Sequence, residues 1–290
     1  MYAIKSEIKR QFKNVLLFPT RLKDFVKRKK IERKYLSPDV LKPEVDLDSD
    51  TRLRLDEFKD NGIVSLSGFE KEANYIIQTY FSDTSSMPKN SEVLSTERSK
   101  KTGRTFVAKL SFSDINLQNL FFNKSIIGLV YNYYKRQPFY RNLPYVTKQE
   151  FSESNAIDIQ GLFHLDGGLK QVSAMLLLND LSDDDTHMEY ALKSINDKVP
   201  FNLDRFNWKE DDILSKYEIK KLIGKKGTLF LFDAGNGYHR AVYKNGSVRK
   251  ILHLNFNCGG YKITECEFND VKFDHLKEQP EFVKETISLL

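Results

Sequence analysis

The sequence predicts a mainly β protein with flanking helices. Five short apolar runs in its second half are separated by turn residues, at 157–163, 171–178, 227–232, 238–243 and 248–257. Runs of this length and spacing are typical of a closed or sandwiched β structure. Upstream, apolar residues recur at helical spacing, which predicts helices that back the main sheet. We therefore expect a double-stranded β-helix, or jelly roll.

The chain begins with a basic segment. Residues 1–34 contain twelve Lys or Arg and three acidic residues, a local charge of +9 against +6 for the whole chain. Apolar residues recur at helical spacing on both sides of Pro19, so residues 1–50 are predicted to be a basic amphipathic arm and a linker. Such an arm could contact an anionic membrane, or it could pack on the domain with its charged face in water. Nucleic acid is not expected as a partner, since no base-reading motif accompanies the charge.

The next elements are predicted from local periodicity and breakers. A helix is expected over 53–59, ended near Gly62, followed by a strand over 63–66 and a second helix over 71–81. The polar stretch 83–104 is predicted to be an exposed loop, with an active-site flap as the functional alternative. Long helices that back the main sheet are expected between 113 and 135.

A stretch at about 195–223 interrupts the strand-rich half and is predicted to be a lid-like insertion. It contains Trp208 and a helical pattern near 212–222. Insertions in β-barrels often cover the mouth, so Phe206 and Trp208 could shape the substrate side. A plain surface excursion is the alternative.

The length of the chain allows one large domain or two small ones, and we interpret residues 51–290 as one domain. A chain of 290 residues with 40% hydrophobic residues can bury a sizeable core. Its apolar runs are too short for a membrane span or for a signal-peptide core. The two cysteines, Cys258 and Cys266, match neither a disulfide framework nor a zinc pattern. These features predict a cytoplasmic protein.

His164 and Asp166 are the leading candidates for chemistry. In an extended segment their side chains point the same way, with Cα atoms about 6–7 Å apart. A second imidazole would complete the two-His-one-carboxylate triad that binds non-haem Fe(II) and leaves coordination positions open. His239 is the candidate for that ligand. Any one of the five histidines would by itself more often be a packed or surface residue, so the combination carries the prediction.

The chain after His239 is predicted to form a β-hairpin whose turn decides where Arg249 points. A two-residue turn would put the side chains of His239 and Arg249 on opposite faces. A three-residue loop with Gly246 left-handed would pair Tyr243 with Ser247, and it would put the side chains of His239 and Arg249 on one face. We favour the second turn, because it aims a guanidinium group suited to a carboxylate into the cavity of the metal.

These residues resemble the phytanoyl-CoA dioxygenase family of Fe(II)- and 2-oxoglutarate-dependent oxygenases. The likeness spans about residues 51–260 and includes His164-x-Asp166, the distal His239, and Arg249 ten residues beyond it. Three further stretches also resemble sequence patterns that are usual in the family, at 55–64, 188–194 and 227–233. The second of them departs from the small-residue turn that the family usually has there.

The resemblance implies a cupin-like core in which His164, Asp166 and His239 hold Fe(II). Arg249, with Ser247 beside it, would bind the far carboxylate of 2-oxoglutarate, and molecular oxygen would be the second co-substrate. The implied reaction hydroxylates an unactivated carbon of a small-molecule, acyl or sugar-type metabolite and releases succinate and CO2. Halogenating relatives carry a small residue at the carboxylate position, so Asp166 favours hydroxylation. Desaturation, ring closure and epimerisation use the same oxidant.

Other classes stay open at this level. A jelly-roll metal-binding protein could keep the ligands and lack oxygenase turnover. An interaction module could use the basic arm as its working surface. A metal-dependent hydrolase or isomerase of the cupin type would leave Arg249 without an obvious purpose.

Overall fold

The computed structural model describes seven parts of the chain: 42–81, 92–93, 104–151, 161–166, 170–197, 210–258 and 278–288. The predictions for the basic arm, for most of the 83–104 loop, and for Phe206 and Trp208 lie outside these residues.

Helices occupy the positions that the apolar periodicity predicts in the first half of the chain. The described residues contain helices α1 (Ser49–Asn61), α2 (Glu70–Tyr80), α3 (Ile115–Phe121), α4 (Lys124–Tyr134), α5 (Glu210–Lys216) and α6 (Glu281–Ser288). The start of α1 is capped by Asp48, whose side chain accepts a hydrogen bond from the Thr51 amide at 2.8 Å. Its end is set by Gly62, which has a left-handed φ of 77°. The helices expected over 53–59, 71–81 and 113–135 are confirmed.

Antiparallel strands form two sheets. The strands are β1 (Ile63–Leu66), β2 (Glu92–Val93), β3 (Arg104–Lys109), β4 (Phe139–Tyr140), β5 (Tyr145–Glu150), β6 (Gln171–Leu177), β7 (His187–Ala191), β8 (Ile219–Leu222), β9 (Leu229–Asp233), β10 (His239–Val242) and β11 (Val248–Asn257). The large sheet has the order β1-β9-β6-β11-β5-β3-β2, with β4 paired to the end of β11. The small sheet has the order β10-β7-β8. The predicted mainly β jelly roll with flanking helices is confirmed.

Both faces of the large sheet are covered, because strand residues alternate between them. On one face Leu252 and Leu254 of β11 pack with helix residues such as Leu120. On the other face Ile251 packs with Tyr190 of the small sheet. The second face is therefore the interior of the jelly roll, and it also receives the other odd-numbered residues of β11.

The predicted hairpin between β10 and β11 is wrong. β10 pairs with β7 in the small sheet, whereas β11 pairs with β5 and β6 in the large sheet. Gly246 is left-handed, with φ 72°, as the turn required. However, Gly246 and Ser247 exchange backbone hydrogen bonds with Phe151, so the chain crosses from one sheet to the other. Turn rules assume that the flanking strands stay paired, and here the burial of two different sheets outweighs that local preference.

The helix predicted near 212–222, within the expected insertion at 195–223, is wrong at its end. The helix stops at Lys216 instead of continuing to 222, and Ile219–Leu222 is strand β8 of the small sheet. Leu222 is buried among interior residues, which explains why this segment joins the sheet. Among the described helices, none is both long enough and apolar enough to cross a membrane.

Leu252→Ala should lower the free energy of unfolding by about 2–5 kcal/mol, because Leu252 is fully buried between the large sheet and the helices. Chemical denaturation followed by circular dichroism would measure the change. Leu53→Ala is the matched control, since Leu53 is 68% exposed on α1, and it should change the value by no more than about 0.5 kcal/mol. Equal losses in the two variants would contradict this packing.

Candidate metal centre

Backbone pairing brings two distant segments of the chain together. The amide of His164 donates to the carbonyl of His239 at 3.0 Å, and the amide of His239 donates to the carbonyl of His164 at 3.1 Å. The amide of Asp166 donates to the carbonyl of Ala234 at 2.8 Å. The segment around His164 therefore lies along the free edge of β10 and extends the small sheet.

Three side chains converge at this edge. One ligand atom from each of His164, Asp166 and His239 lies within 4.8 Å of the other two. The Nε2 atom of His239 is 3.7 Å from Oδ1 of Asp166. Both imidazoles are buried, whereas the Asp166 side chain is about one-third exposed. Two nitrogens and one carboxylate oxygen at this spacing can bind a single metal ion and leave other positions open.

The tautomers of the two histidines are fixed by backbone carbonyls. Nδ1 of His164 lies 2.8 Å from the carbonyl oxygen of Leu162, and Nδ1 of His239 lies 3.0 Å from that of Gly237. A carbonyl oxygen can only accept, so in both rings Nδ1 carries the hydrogen and donates it. In the neutral rings Nε2 therefore holds the lone pair that a metal requires.

Charge within the cluster agrees with this arrangement. Burial lowers the pKa of His239, but the hydrogen bond and charge of Asp166 outweigh it and leave that pKa raised. Burial raises the pKa of Asp166, but contacts with His239 and nearby positive charge leave that pKa lowered. Asp166 is thus kept as a carboxylate.

Asp233 organises the turn that leads into β10. One carboxylate oxygen accepts from the amides of Gly235 and Asn236 at 3.1 and 3.0 Å. The other accepts from the hydroxyls of Tyr133 and Tyr134 on α4 at 2.9 and 2.7 Å. Burial raises the pKa of Asp233, and these hydrogen bonds oppose that rise. The turn before the distal histidine is therefore anchored to a helix behind the large sheet.

The start of β10 is also held from the small sheet. The hydroxyl of Tyr190 donates to the carbonyl of Asp233 at 3.1 Å. A Cβ atom on Gly237 would lie 1.7 Å from that hydroxyl oxygen, so only glycine fits there. The hydroxyl of Ser194 accepts from the amide of Tyr238 at 3.0 Å. These contacts leave little freedom for the backbone that carries the distal imidazole.

Arg249 lies inside the jelly roll and is 4% exposed. Its Nε donates to Oε1 of Gln149, the residue opposite it on β5, at 2.7 Å. Its Nη1 is buried without a hydrogen-bond partner among the described residues. Burial lowers the pKa of Arg249 to about 10. An unpaired, desolvated cation is costly, and a carboxylate ligand would supply the missing partner.

Ser247 occupies a different environment from the one predicted for it. Its hydroxyl accepts from the amide of Thr186 at 2.8 Å and lies 3.4 Å from a carboxylate oxygen of Asp185. Its role in binding 2-oxoglutarate stays a prediction.

Three residues that support this site were not predicted from the sequence. Gln149 contacts Arg249, Gln171 contacts Asp166, and Asp233 anchors the turn. The Asp-x-Gly-Asn pattern at 233–236 is an available signal for the last, because Asp often bonds backbone amides two residues onward in turns. The two glutamines have no comparable local signal.

The fold and the candidate centre define a jelly-roll protein with a His-Asp-His cluster. No protein-family model matches the sequence, and no curated protein matches it either. Solved structures match in fold. EctD from S. alaskensis is 13% identical, with 76% of this chain and 81% of that chain covered and a TM-score of 0.52.

Two other structures extend this comparison. The non-heme alpha ketoglutarate dependent epimerase SnoN from nogalamycin biosynthesis is 14% identical over 77% of this chain and 89% of that chain, with a TM-score of 0.51. HygX from Streptomyces hygroscopicus, solved with nickel and 2-oxoglutarate bound, is 13% identical over 76% of this chain and 93% of that chain, with a TM-score of 0.50. At these identities the likeness shows the fold alone, a cupin-type jelly roll.

Replacing either imidazole should strongly weaken metal binding at this cluster. We expect His164→Ala and His239→Ala each to weaken Co(II) binding by more than about 100-fold, because each removes one of three ligands. Isothermal titration calorimetry would measure the affinity. His187→Ala is the control, since His187 is buried in β7 but lies outside the cluster. Tight binding that persists in either ligand variant would place the metal elsewhere.

Proposed function

We propose that this protein is an Fe(II)- and 2-oxoglutarate-dependent oxygenase that hydroxylates a small-molecule metabolite. The observation that carries the proposal is the pairing of two features inside one jelly roll. One is the open cluster of His164, Asp166 and His239. The other is the buried Arg249, whose Nη1 has no partner among the described residues. A hydrolase or isomerase would use the first feature and leave the second unexplained.

The chain's own residues suit this chemistry. Two imidazoles and one carboxylate would hold Fe(II), while Arg249 would bind the far carboxylate of 2-oxoglutarate. Gln149 fixes Nε of Arg249, which leaves the other edge of the guanidinium for the ligand. When bound, iron with 2-oxoglutarate and molecular oxygen supplies an oxidant that removes hydrogen from carbon, releasing succinate and CO2. The apolar interior around Ile251 would keep water away from the bound co-substrate.

The fold neighbours support the cofactor assignment. HygX binds nickel and 2-oxoglutarate in its solved structure, and a solved SnoN complex contains Fe3+, alpha ketoglutarate and nogalamycin RO. We extend the same cofactor class to this chain, together with the resemblance of its motifs to the phytanoyl-CoA dioxygenase family. Asp166 fills the position that halogenating relatives leave open, which favours hydroxylation.

The lining near Asp166 favours a polar, sugar-type substrate over an acyl chain. Asn255 faces the interior near the end of β11 where Asn257 pairs with Gln171, the residue that bonds Asp166. It bonds Asn142 at 3.2 Å and Ser173 at 2.9 Å, so amides and hydroxyls lie along this end. UDP-glucose should then stimulate succinate formation more than decanoyl-CoA does. The opposite order would remove the sugar-type assignment and leave the co-substrate chemistry intact.

We further propose a cytoplasmic location with peripheral contact to anionic membranes through residues 1–34. The local charge of +9 in this segment supports the contact. The full chain should co-sediment with phosphatidylserine vesicles, whereas a variant that lacks residues 1–34 should stay in the supernatant. Equal sedimentation of both proteins would contradict this role.

Anaerobic addition of Fe(II) and 2-oxoglutarate to the metal-free protein should produce a weak charge-transfer band at about 500 nm, the signature of a keto acid chelated on an open triad. His239→Ala should lose the band, because a metal ligand is gone. Arg249→Met should need about 100-fold more 2-oxoglutarate, since the buried charge partner is missing. Titration by visible absorption measures both effects.

The surface variant Arg54→Met is the matched control for Arg249→Met and should behave as wild type. Unfolding of the ligand-free Arg249→Met protein gives a second test. Its stability should equal or exceed that of wild type, because the substitution removes a desolvated charge. Iron binding without any band would indicate a jelly-roll metal protein that lacks oxygenase turnover.

A further inference from the structure

We propose that Gln171 and Arg141 form a relay that positions the Asp166 carboxylate for metal binding. This proposal rests on the metal site of the proposed function, and it adds Gln171 of β6 and Arg141, which directly follows β4. The relay consists of two hydrogen bonds in series, Arg141 to Gln171 and Gln171 to Asp166.

The inner bond decides which oxygen of Asp166 faces the metal. Nε2 of Gln171 donates to Oδ2 of Asp166 at 2.7 Å. Oδ1 is left on the side of His239, 3.7 Å from its Nε2. Because Oδ2 is already engaged, Asp166 would ligate through one oxygen. A coordination position that a bidentate carboxylate would fill then stays open for co-substrate.

The outer bond fixes the orientation of the glutamine amide. A guanidinium can only donate and an ionised carboxylate can only accept. The atom of Gln171 that faces Arg141 must therefore be Oε1, and the atom that faces Asp166 must be the NH2 group. The positive charge at the outer end and the negative charge at the inner end strengthen both bonds.

The relay ties the two sheets together at the site. Gln171 is 2% exposed, begins β6, and is paired with Asn257 of β11 in the large sheet. Asp166 belongs to the segment that extends the small sheet, and its amide bonds Ala234. The backbone amide of Arg141 donates to the carbonyl of Asn255 in β11 at 2.8 Å. The outer residue of the relay is therefore also attached to the large sheet. Backbone and side chain of Asp166 are thus held from different directions.

Co(II) affinity of the full chain, measured without 2-oxoglutarate, tests the relay independently of turnover. Gln171→Met should bind Co(II) about 10- to 100-fold more weakly, the usual effect of losing a partner that orients a metal ligand. Arg141→Met should give a smaller loss, under about tenfold, because the inner bond survives. Arg141→Lys should keep most of the wild-type affinity for Co(II), since lysine keeps the positive charge and one hydrogen-bond donor for Gln171.

A double-mutant cycle separates a relay from two independent effects. In the Gln171→Met background, Arg141→Met should have a clearly smaller effect than in wild type, because the hydrogen-bonded path to Asp166 is already cut and only the direct charge of Arg141 remains. The Co(II) d–d absorption of Gln171→Met should also differ from wild type, since the released Oδ2 can reach the metal. Arg54→Met controls for the loss of a surface arginine, and thermal unfolding of the metal-free proteins checks the fold.

The outcomes are distinct. Affinities of both single variants within about twofold of wild type, or additive losses in the double variant, would overturn the relay and leave the metal site standing. A wild-type protein that binds no Co(II) would overturn the proposed function and the relay together. Weaker binding with an unchanged d–d spectrum would show a merely structural role for Gln171.

Discussion

The site depends on two reciprocal backbone hydrogen bonds between His164 and His239. The two residues are far apart in sequence, and neither segment defines a metal site without the other. Because each bond pairs an amide with a carbonyl, the separation of the two Cα atoms is set by strand geometry and not by side-chain packing. The imidazoles then need only their Nδ1–H bonds to backbone carbonyls to face a common point.

Around this bridge the protein buries polar groups that would be costly elsewhere. Asp233 lies fully inside and is compensated by two tyrosine hydroxyls and two backbone amides. Among the residues that the structure describes, Gln149 is bonded to Nε of Arg249, and Nη1 has no hydrogen-bond partner. This difference fits two roles: the satisfied charge of Asp233 holds a turn in place, whereas the incompletely satisfied charge of Arg249 is where we propose that a carboxylate ligand binds.

The two sheets of the proposed oxygenase carry different parts of the candidate site. The small sheet and its extension carry all three candidate ligands, and the large sheet carries Arg249 and its neighbour Gln149. Gln171 connects the two through Asp166. Helix α4 reaches the same region through Asp233, so the site is supported from every layer of the fold. Such support limits the movement of ligands whose geometry must be precise.

The sequence by itself determined the jelly-roll class, the early helices and the residues of the candidate centre. These follow from local periodicity, turn residues and spacing, which act over a few positions. It did not determine that β10 and β11 separate into different sheets, that 219–222 is a strand, or that two glutamines orient Asp166 and Arg249. Those outcomes depend on which strands become neighbours. Pairing of residues distant in the chain is decided by the joint burial of both sheet faces, and only the tertiary structure decides that.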